Sequence, residues 1–457
     1  MRLTLIGHAS VLVETAEATY LMDPVFGETF EGGAVTSCPA REVDLKQLPE
    51  IDYLILSHRH PDHFDIPSVA RLPRSCTVLC PRDAQILYAL ERLGFTRVRP
   101  IEPMRPLPSF ATQLYATRSE DVAVPEFGMI FADASGTVWN QVDTVLSFET
   151  IREALARFPT IDLLLARYAS QNFEFFESRA TTFPHEEHQR NLETVLLIRA
   201  RAVVPGSAGF RFCAEHAWLN RYLFPVSRER FADDLRRLAP SIEVVFLNPG
   251  DVVEIDGGSV TVQGGASPFC RTLQVDTDAI RFDPTAPIPP LQDPNPGHLS
   301  QATMEGVIRP FIEDLLYGYA RTASGDRLDL PARYRLCDVL YEVEVVFPEQ
   351  SLRWQLDFRG PEVTLTMGGG VEPTVVHRIT GSALADWIRR RRGYFYTRAY
   401  SRRYSTLSRV FGDEAGVEVR PVSLPDLLIH FLLNVAPDSA GAARQRLDQE
   451  IEAALAS

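Results

Sequence analysis

Long apolar runs are missing from this chain. The clearest, Leu427 to Leu433, is interrupted by His430 and falls far short of the ~20 residues a helix needs to cross a bilayer. No helical membrane span is therefore expected. The first residues, Met1-Arg2-Leu3-Thr4-Leu5-Ile6, pass directly into an alternating pattern, without the basic region, apolar stretch and cleavage site of an export signal, which points to a cytoplasmic protein. Positive charge is also short: Lys and Arg number 46 against 60 Asp and Glu, a net charge of −14. That balance excludes a general binder of nucleic acid or of anionic membranes, because both are polyanions. Cysteine is sparse, with six residues of which only Cys76 and Cys80 are near neighbours, so neither a disulfide framework nor a Cys-x-x-Cys metal site is indicated. Histidine is unevenly placed, and none occurs between His63 and His185.

What is present fits an ordinary folded protein. Hydrophobic residues make up 45% and charged residues 23% of 457, which suits two or three domains and excludes a disordered or fibrous chain. Short alternating segments at Leu3 to Ile6, Ser10 to Glu14 and Thr19 to Met22 precede a buried strand, Tyr53-Leu54-Ile55-Leu56. Strands at Thr77 to Leu79, Gly128 to Ala132 and Asp162 to Ala166 then alternate with helices at Ala84 to Leu93, Ser147 to Arg157 and Glu186 to Arg199, an α/β arrangement. Six prolines between Asp283 and Gly297 can propagate neither helix nor sheet. The expected organisation is a catalytic domain over 1–283, a Pro-rich linker over 284–298 and an α+β domain over 299–457 that opens and ends in helices.

Chemistry is concentrated in Ser57-His58-Arg59-His60-Pro61-Asp62-His63. The segment follows the buried strand, and Asp65 offers an N-cap for a helix starting at Ile66, so the histidines belong on a strand-to-helix loop. Ligands of open α/β layers gather at such carboxyl ends. Four ligand-type side chains converging there suit two metal ions, with His58 and His60 on one and Asp62 and His63 on the other. Imidazole and carboxylate together suit zinc, iron or manganese.

Gly7-His8-Ala9-Ser10, Met22-Asp23-Pro24 and the Ser57–His63 segment, in this order, resemble the landmarks of metallo-β-lactamase-fold proteins over roughly the first 280 residues. The resemblance implies an αββα sandwich and further ligands from later loops. It implies Asp143, in Val142-Asp143, as a bridging carboxylate, and His216, with Glu215 as alternative, as the last ligand. It gives His8 and Asp23 supporting roles. Hydrolytic members use another histidine before the strand at Gly128, and none exists here, so Glu120, or else Asp121, takes that place. His185 and His188 fit a solvated helix start or a cavity wall.

A carboxylate in place of that histidine favours iron over zinc, since hard anionic oxygens stabilise higher-valent metal. In this the chain is similar to diiron monooxygenases of the fold and to the metallo-β-lactamase portion of the CMP-N-acetylneuraminate hydroxylases. The resemblance implies two iron ions, O2 as co-substrate and hydroxylation of a small or carrier-bound substrate. The alternative is a dinuclear zinc hydrolase of an ester, lactone, thioester or phosphodiester. No Cys-x-His is available for a Rieske cluster, so an external ferredoxin with its reductase is the expected electron donor. In the last third, Trp354-Gln355-Leu356-Asp357-Phe358 and Ile379-Thr380-Gly381-Ser382 resemble sterol-carrier-protein-2 modules, which implies either shelter for an apolar ligand or a packing and homodimerisation domain.

Overall fold

The computed structural model describes all residues except 108–110, 122–123, 170–182, 323–327, 390, 414–415, 423, 436–440 and 457. They form two compact units, the first within residues 1–286 and 447–456, the second within residues 287–446.

The first unit is a sandwich of two sheets. Strands β1 (Arg2–Gly7), β2 (Ser10–Glu14), β3 (Thr19–Met22), β4 (Tyr53–Ile55), β5 (Thr77–Cys80) and β6 (Val98–Pro100) belong to the first. The second contains β7 (Gln113–Arg118), β8 (Phe127–Asp133), β9 (Gly136–Asn140), β10 (Leu163–Arg167), β11 (Ala202–Gly206) and β12 (Glu243–Val244). Strands β13 (Val252–Asp256) and β14 (Ser259–Gln263) return to the first sheet, whose order is β14-β13-β1-β2-β3-β4-β5-β6, while the second runs in sequence order. Strands β3 to β6 and β9 to β12 are parallel, so their carboxyl ends share an edge in each sheet.

Alternation explains the layering. Leu3, Val11, Val13 and Met22 point between the sheets and meet Phe131, Val138, Leu163 and Val204. Ile6, Leu12, Leu21 and Leu54 point the other way, onto α1 (Ile66–Ala70) and α2 (Ala84–Arg92). Ile130, Trp139 and Leu164 likewise face α3 (Phe148–Arg157), α4 (His185–Ile198) and α5 (Arg228–Leu238). This is the helix–sheet–sheet–helix sandwich of the metallo-β-lactamase fold.

The end of the chain departs from the expected division. Residues 447–456 belong to the first unit, where Leu447 and Ile451 are buried against the α1–α2 layer and Asp448 accepts hydrogen bonds from Tyr88 and Arg92, both 2.8 Å. An amphipathic tail buries its apolar face wherever a matching surface exists, whatever domain precedes it in sequence.

In the second unit, β15 (Leu340–Val346), β16 (Ser351–Asp357), β17 (Thr364–Met367), β18 (Val375–Thr380) and β19 (Ser401–Ser405) form a sheet of order β17-β16-β15-β18-β19. Its core joins Tyr341, Val343, Trp354 and Ile379 to α6 (Gln301–Pro310), α7 (Gly381–Ile388) and α8 (Leu427–His430). The region after α7 does not end in helices alone: β19 and a hairpin, Ser408–Asp413 with Gly416–Pro421, precede α8. The charged Arg402-Arg403 in β19 masks the strand pattern, because both arginines are buried with bonded guanidinium groups, Arg402 on backbone carbonyls and Arg403 on Asp426.

Candidate metal centre

The His58–His63 loop leaves the carboxyl end of β4 and enters α1. Asp65 caps that helix, its carboxylate accepting from the Ser68 amide at 3.0 Å. The His63 and Phe64 amides both donate to the His60 carbonyl, at 2.9 and 2.8 Å, which folds the loop into a tight turn. Arg59 is drawn away to Asp83 at 3.2 Å, so the alternation leaves His58 and His60 on the inner side, their rings 4.7 Å apart.

Asp23 holds the turn from beneath. Its carboxylate accepts from the Ser57 amide at 2.7 Å, from the Ser57 hydroxyl at 2.5 Å and from His63 Nδ1 at 3.0 Å. With Nδ1–H donated, the lone pair of His63 lies on Nε2, which faces Asp143 Oδ2 at 3.2 Å and Asp62 Oδ2 at 3.8 Å. His58 Nδ1 meets the Ser57 hydroxyl at 2.9 Å, and its ring lies 4.1 Å from that of His63.

Two groups of ligand atoms, each within 4.8 Å of one another, result: His58, His63 and Asp143, and His8, Asp62 and His63. His8, expected only to support the site, lies inside a cluster, Nε2 3.2 Å from Asp62 Oδ2. Strained backbone surrounds these groups. His8, Asp23 and Val142 have φ of +49°, +47° and +55°, an outlying conformation for a β-branched residue such as Val142. Such strain costs on the order of 1–3 kcal/mol per residue and persists where neighbours enforce it. Here Asn140 Oδ1 accepts from the Val142 amide at 3.2 Å, and Gln141 bonds the Thr144 carbonyl at 2.9 Å. Asp143 is thereby displayed at the end of β9. It does not cap α3, since Ser147 does so, accepting from the Thr150 amide at 3.0 Å.

The buried nitrogens test whether a metal fits. His58 Nε2, His60 Nε2 and His63 Nε2 are all inaccessible to solvent and have no hydrogen-bond partner among the described residues. Buried nitrogens without a hydrogen bond are costly unless something else binds them, and imidazoles grouped with Asp143 and Asp62 suit a cation, His60 lying beside His58 but in neither group. Burial, then the neighbouring imidazoles, holds His58 well below the usual histidine range, which keeps it neutral. Burial also opposes charge on His63, but Asp143 and Asp62 outweigh it and hold its pKa well above the ordinary value. Burial works against ionised Asp62 and Asp143 too, and His63 reverses this, holding both carboxyls low.

Two expected ligands lie elsewhere. Glu120 and Asp121 are exposed on the turn after β7, where the Glu120 amide donates to the Val145 carbonyl at 2.7 Å. Glu126 senses the charges of Asp143 and His63, although it joins neither ligand group. The Phe127 amide donates to the Ser57 carbonyl at 3.3 Å, which ties the start of β8 to the histidine loop and carries Glu126 in with it. Burial, with Asp121 and Asp143 adding to it, pushes the Glu126 carboxyl up to about 8, and its Oε1 is buried without a hydrogen bond among the described residues. The signal in the sequence is an acidic residue inside Val124-Pro125-Glu126-Phe127, where a solvated turn would not be apolar. His216 is buried in the turn after Phe210–Phe212 and joins neither ligand group, while Glu215 is largely exposed. His185 is exposed, and His188 is engaged at 3.0 Å by Asp234 of α5.

Residues 18–165 match the beta-lactamase superfamily domain. Over 290 residues the chain is 23% identical to a putative Rieske 2Fe-2S iron-sulfur protein of Mycobacterium tuberculosis, covering 60% of this chain and 54% of that one. Over 121 residues it is 31% identical to a 4-amino-L-phenylalanyl-[peptidyl-carrier-protein] 3-hydroxylase of Streptomyces venezuelae, covering 24% and 22%. The chain thus spans about half the length of the first of these relatives. Among solved structures, an isothiocyanate hydrolase from Delia radicum gut bacteria superposes with a TM-score of 0.43 at 17% identity, over 56% of this chain and all of that one. The first unit is a metallo-β-lactamase-fold domain with a candidate metal site. Among the described residues no helix is long and apolar enough to cross a membrane.

Asp23→Asn tests the support of His63. The amide cannot accept both the Ser57 hydroxyl and the imidazole as a carboxylate does, so metal affinity is expected to fall about 10–100-fold. Competition with a chromogenic chelator measures this, and wild-type affinity in the variant would show that His63 is oriented without Asp23.

Proposed function

We propose that this chain is a non-haem diiron monooxygenase that uses O2 to hydroxylate a small or carrier-bound, apolar substrate. Glu126 carries this reading: a carboxyl with a buried oxygen lies in the segment before β8, where hydrolytic relatives of the fold place a histidine, and it senses Asp143 and His63. The hydroxylase of Streptomyces venezuelae, similar over the 121 residues matched, lends support. In this proposal His58, His60 and Glu126 hold one ion, Asp62 and His63 the other, and Asp143 serves both. The iron pair, when bound, supplies the O2 chemistry.

The chain's own residues set charge and protons. Without a cation, a proton on His63 offsets part of the charge of Asp62 and Asp143, and a proton on Glu126 keeps it from adding to that charge. Both protons must leave when a cation is bound, so loading is expected to weaken as pH falls. Asp23 keeps Nδ1–H of His63 and thereby directs Nε2 inward. Electrons would come from a separate ferredoxin and reductase, since the chain holds no Cys-x-His. A second reading, ester or thioester hydrolysis at a zinc pair, rests on the same three imidazoles, which suit zinc equally well.

Metal analysis of protein expressed with both iron and zinc available decides between the two. About two irons per chain with a near-ultraviolet charge-transfer band is the expected result. About two zincs, with iron neither retained nor restorable, would replace oxygenation by hydrolysis.

A further inference from the structure

Between the two sheets of the first unit, next to the metal cluster, lies a chamber of about 550 Å³, within the ~300–1,000 Å³ of small-molecule sites. Leu5 and Val11 of the first sheet face Leu165 and Val204 of the second across it, and Leu247 and Phe224 add further apolar wall. These are positions where a sandwich of this kind ordinarily closes on itself, since Val11, Leu165, Val204 and Leu247 belong to its inner core.

Polar side chains line the chamber in several places, Glu229, Arg230, Asp278 and Arg281 among them, and two regions bear on binding. At one, His8 and Asn140 line it, and each touches the machinery of the candidate metal centre: His8 lies 3.2 Å from Asp62, and Asn140 fixes the amide that precedes Asp143. At the other are Tyr168 and Arg228. Burial raises the Tyr168 phenol above its ordinary range, so it stays a neutral donor, and Arg228 is among the charges it senses. Arg228 is held in place by Glu229 at 2.9 Å and Asn248 at 3.3 Å, with its guanidinium 5.2 Å from the Phe246 ring centroid. Those bonds use Nε and Nη1, and Nη2 makes no hydrogen bond among the described residues. An arginine fixed on two sides with a donor to spare is preorganised for a carboxylate.

We propose that this chamber binds the apolar body of an aryl- or alkyl-substituted carboxylic acid, with the carboxylate on Arg228 and Tyr168 and the far end turned past His8 and Asn140 to the metal cluster. The proposal names the substrate class for the site and rests on the oxygenase reading only for what happens to that far end.

Binding of 3-phenylpropanoate and of its neutral amide to the full chain, before and after chelation of metal, tests the proposal by calorimetry. The acid is expected to bind equally in both states. Gly206→Leu should weaken acid and amide at least about tenfold, since Gly206 lines the chamber, has no left-handed backbone, and a Cβ there meets nothing closer than 3.4 Å. Arg228→Gln should weaken the acid about tenfold and the amide less than about threefold. No saturable binding, indifference to Gly206→Leu, or equal loss of both probes in Arg228→Gln would overturn the proposal. So would loss of acid binding on chelation, which would put the carboxylate on the metal. If Gly206→Leu lowers the thermal midpoint, nuclear Overhauser contacts from the probe to Val11 and Leu247 methyls in the wild type decide alone: present they uphold the chamber, absent they remove it. Because the metal-free chain is read, iron can prove wrong while the chamber stands, and the chamber can fail while iron is found.

Discussion

Glu126→Ala is expected to lower the metal content from about two ions per chain to about one, while Glu120→Ala leaves it unchanged. The contrast follows from where each carboxylate lies. Glu120 is exposed, with its backbone bound to Val145, whereas Glu126 has a buried carboxyl oxygen and precedes Phe127, whose amide bonds the Ser57 carbonyl. On the proposed oxygenase reading, loss of one ion should also remove O2-dependent turnover. Glu126 also governs the pH response of the metal-free protein. Burial raises its carboxyl from 4.5 to about 8, so the folded state binds a proton that the unfolded chain has lost. Stability from this group is full below the unfolded pKa and declines as pH rises towards 8, by a few kcal/mol at most. Denaturant midpoints of metal-free protein should therefore fall from pH 5 to pH 8 more steeply in the wild type than in Glu126→Gln. Parallel slopes would mean that Glu126 is solvated and is no ligand, and full metal content in Glu126→Ala would remove it from the site.

Much of this centre was legible in the sequence because its parts are local. Strand, His-x-His-x-Asp-His loop and Asp65 cap are contiguous, and a loop of six residues can converge its side chains without help from distant chain. The resemblance implied Asp143, and the structure adds the reason it does not serve as a helix cap: Ser147 takes over the capping of α3. The proposed role of Glu126 was not legible, since the choice among Glu120, Asp121 and Glu126 depends on a long-range bond between Phe127 and Ser57. His8 was underestimated for a similar reason. Its approach to Asp62 depends on a left-handed backbone at the β1–β2 turn, and Gly209 packs so closely there that a Cβ would sit 2.6 Å from the His8 amide nitrogen. The inter-sheet chamber is invisible in sequence, because its wall residues follow the same alternation as a filled core.

Asp426→Ala is expected to destabilise the second unit by about 3–5 kcal/mol, the range for stripping one partner from a buried ionic network. The residue is 7% exposed and sits among groups no more exposed: His377 Nδ1 at 3.0 Å, Arg403 Nε at 3.3 Å and the Tyr341 hydroxyl, which donates at 3.1 Å. It also caps α8, accepting from the Ile429 amide at 3.0 Å. One carboxylate thus joins β15, β18 and β19 to the helix that closes their core. Truncation leaves the Arg403 cation without its carboxylate, and the Tyr341 hydroxyl and a helix amide lose an acceptor in a place water does not reach. Burial alone would raise the Asp426 carboxyl, but His377 and Arg403 outweigh it and hold it well below the ordinary 3.8. Its stabilising effect is therefore complete above that ordinary value and is lost as pH falls below it. In guanidinium titrations the midpoint should drop strongly at pH 7 in Asp426→Ala, and wild type and variant should converge in acid. Asp426→Asn should fall between them at pH 7, since the amide keeps an acceptor for the cap but no charge for Arg403. A wild-type midpoint in Asp426→Ala would show that this network is dispensable and that apolar packing of Trp354, Ile379 and Leu428 alone holds α8 in place.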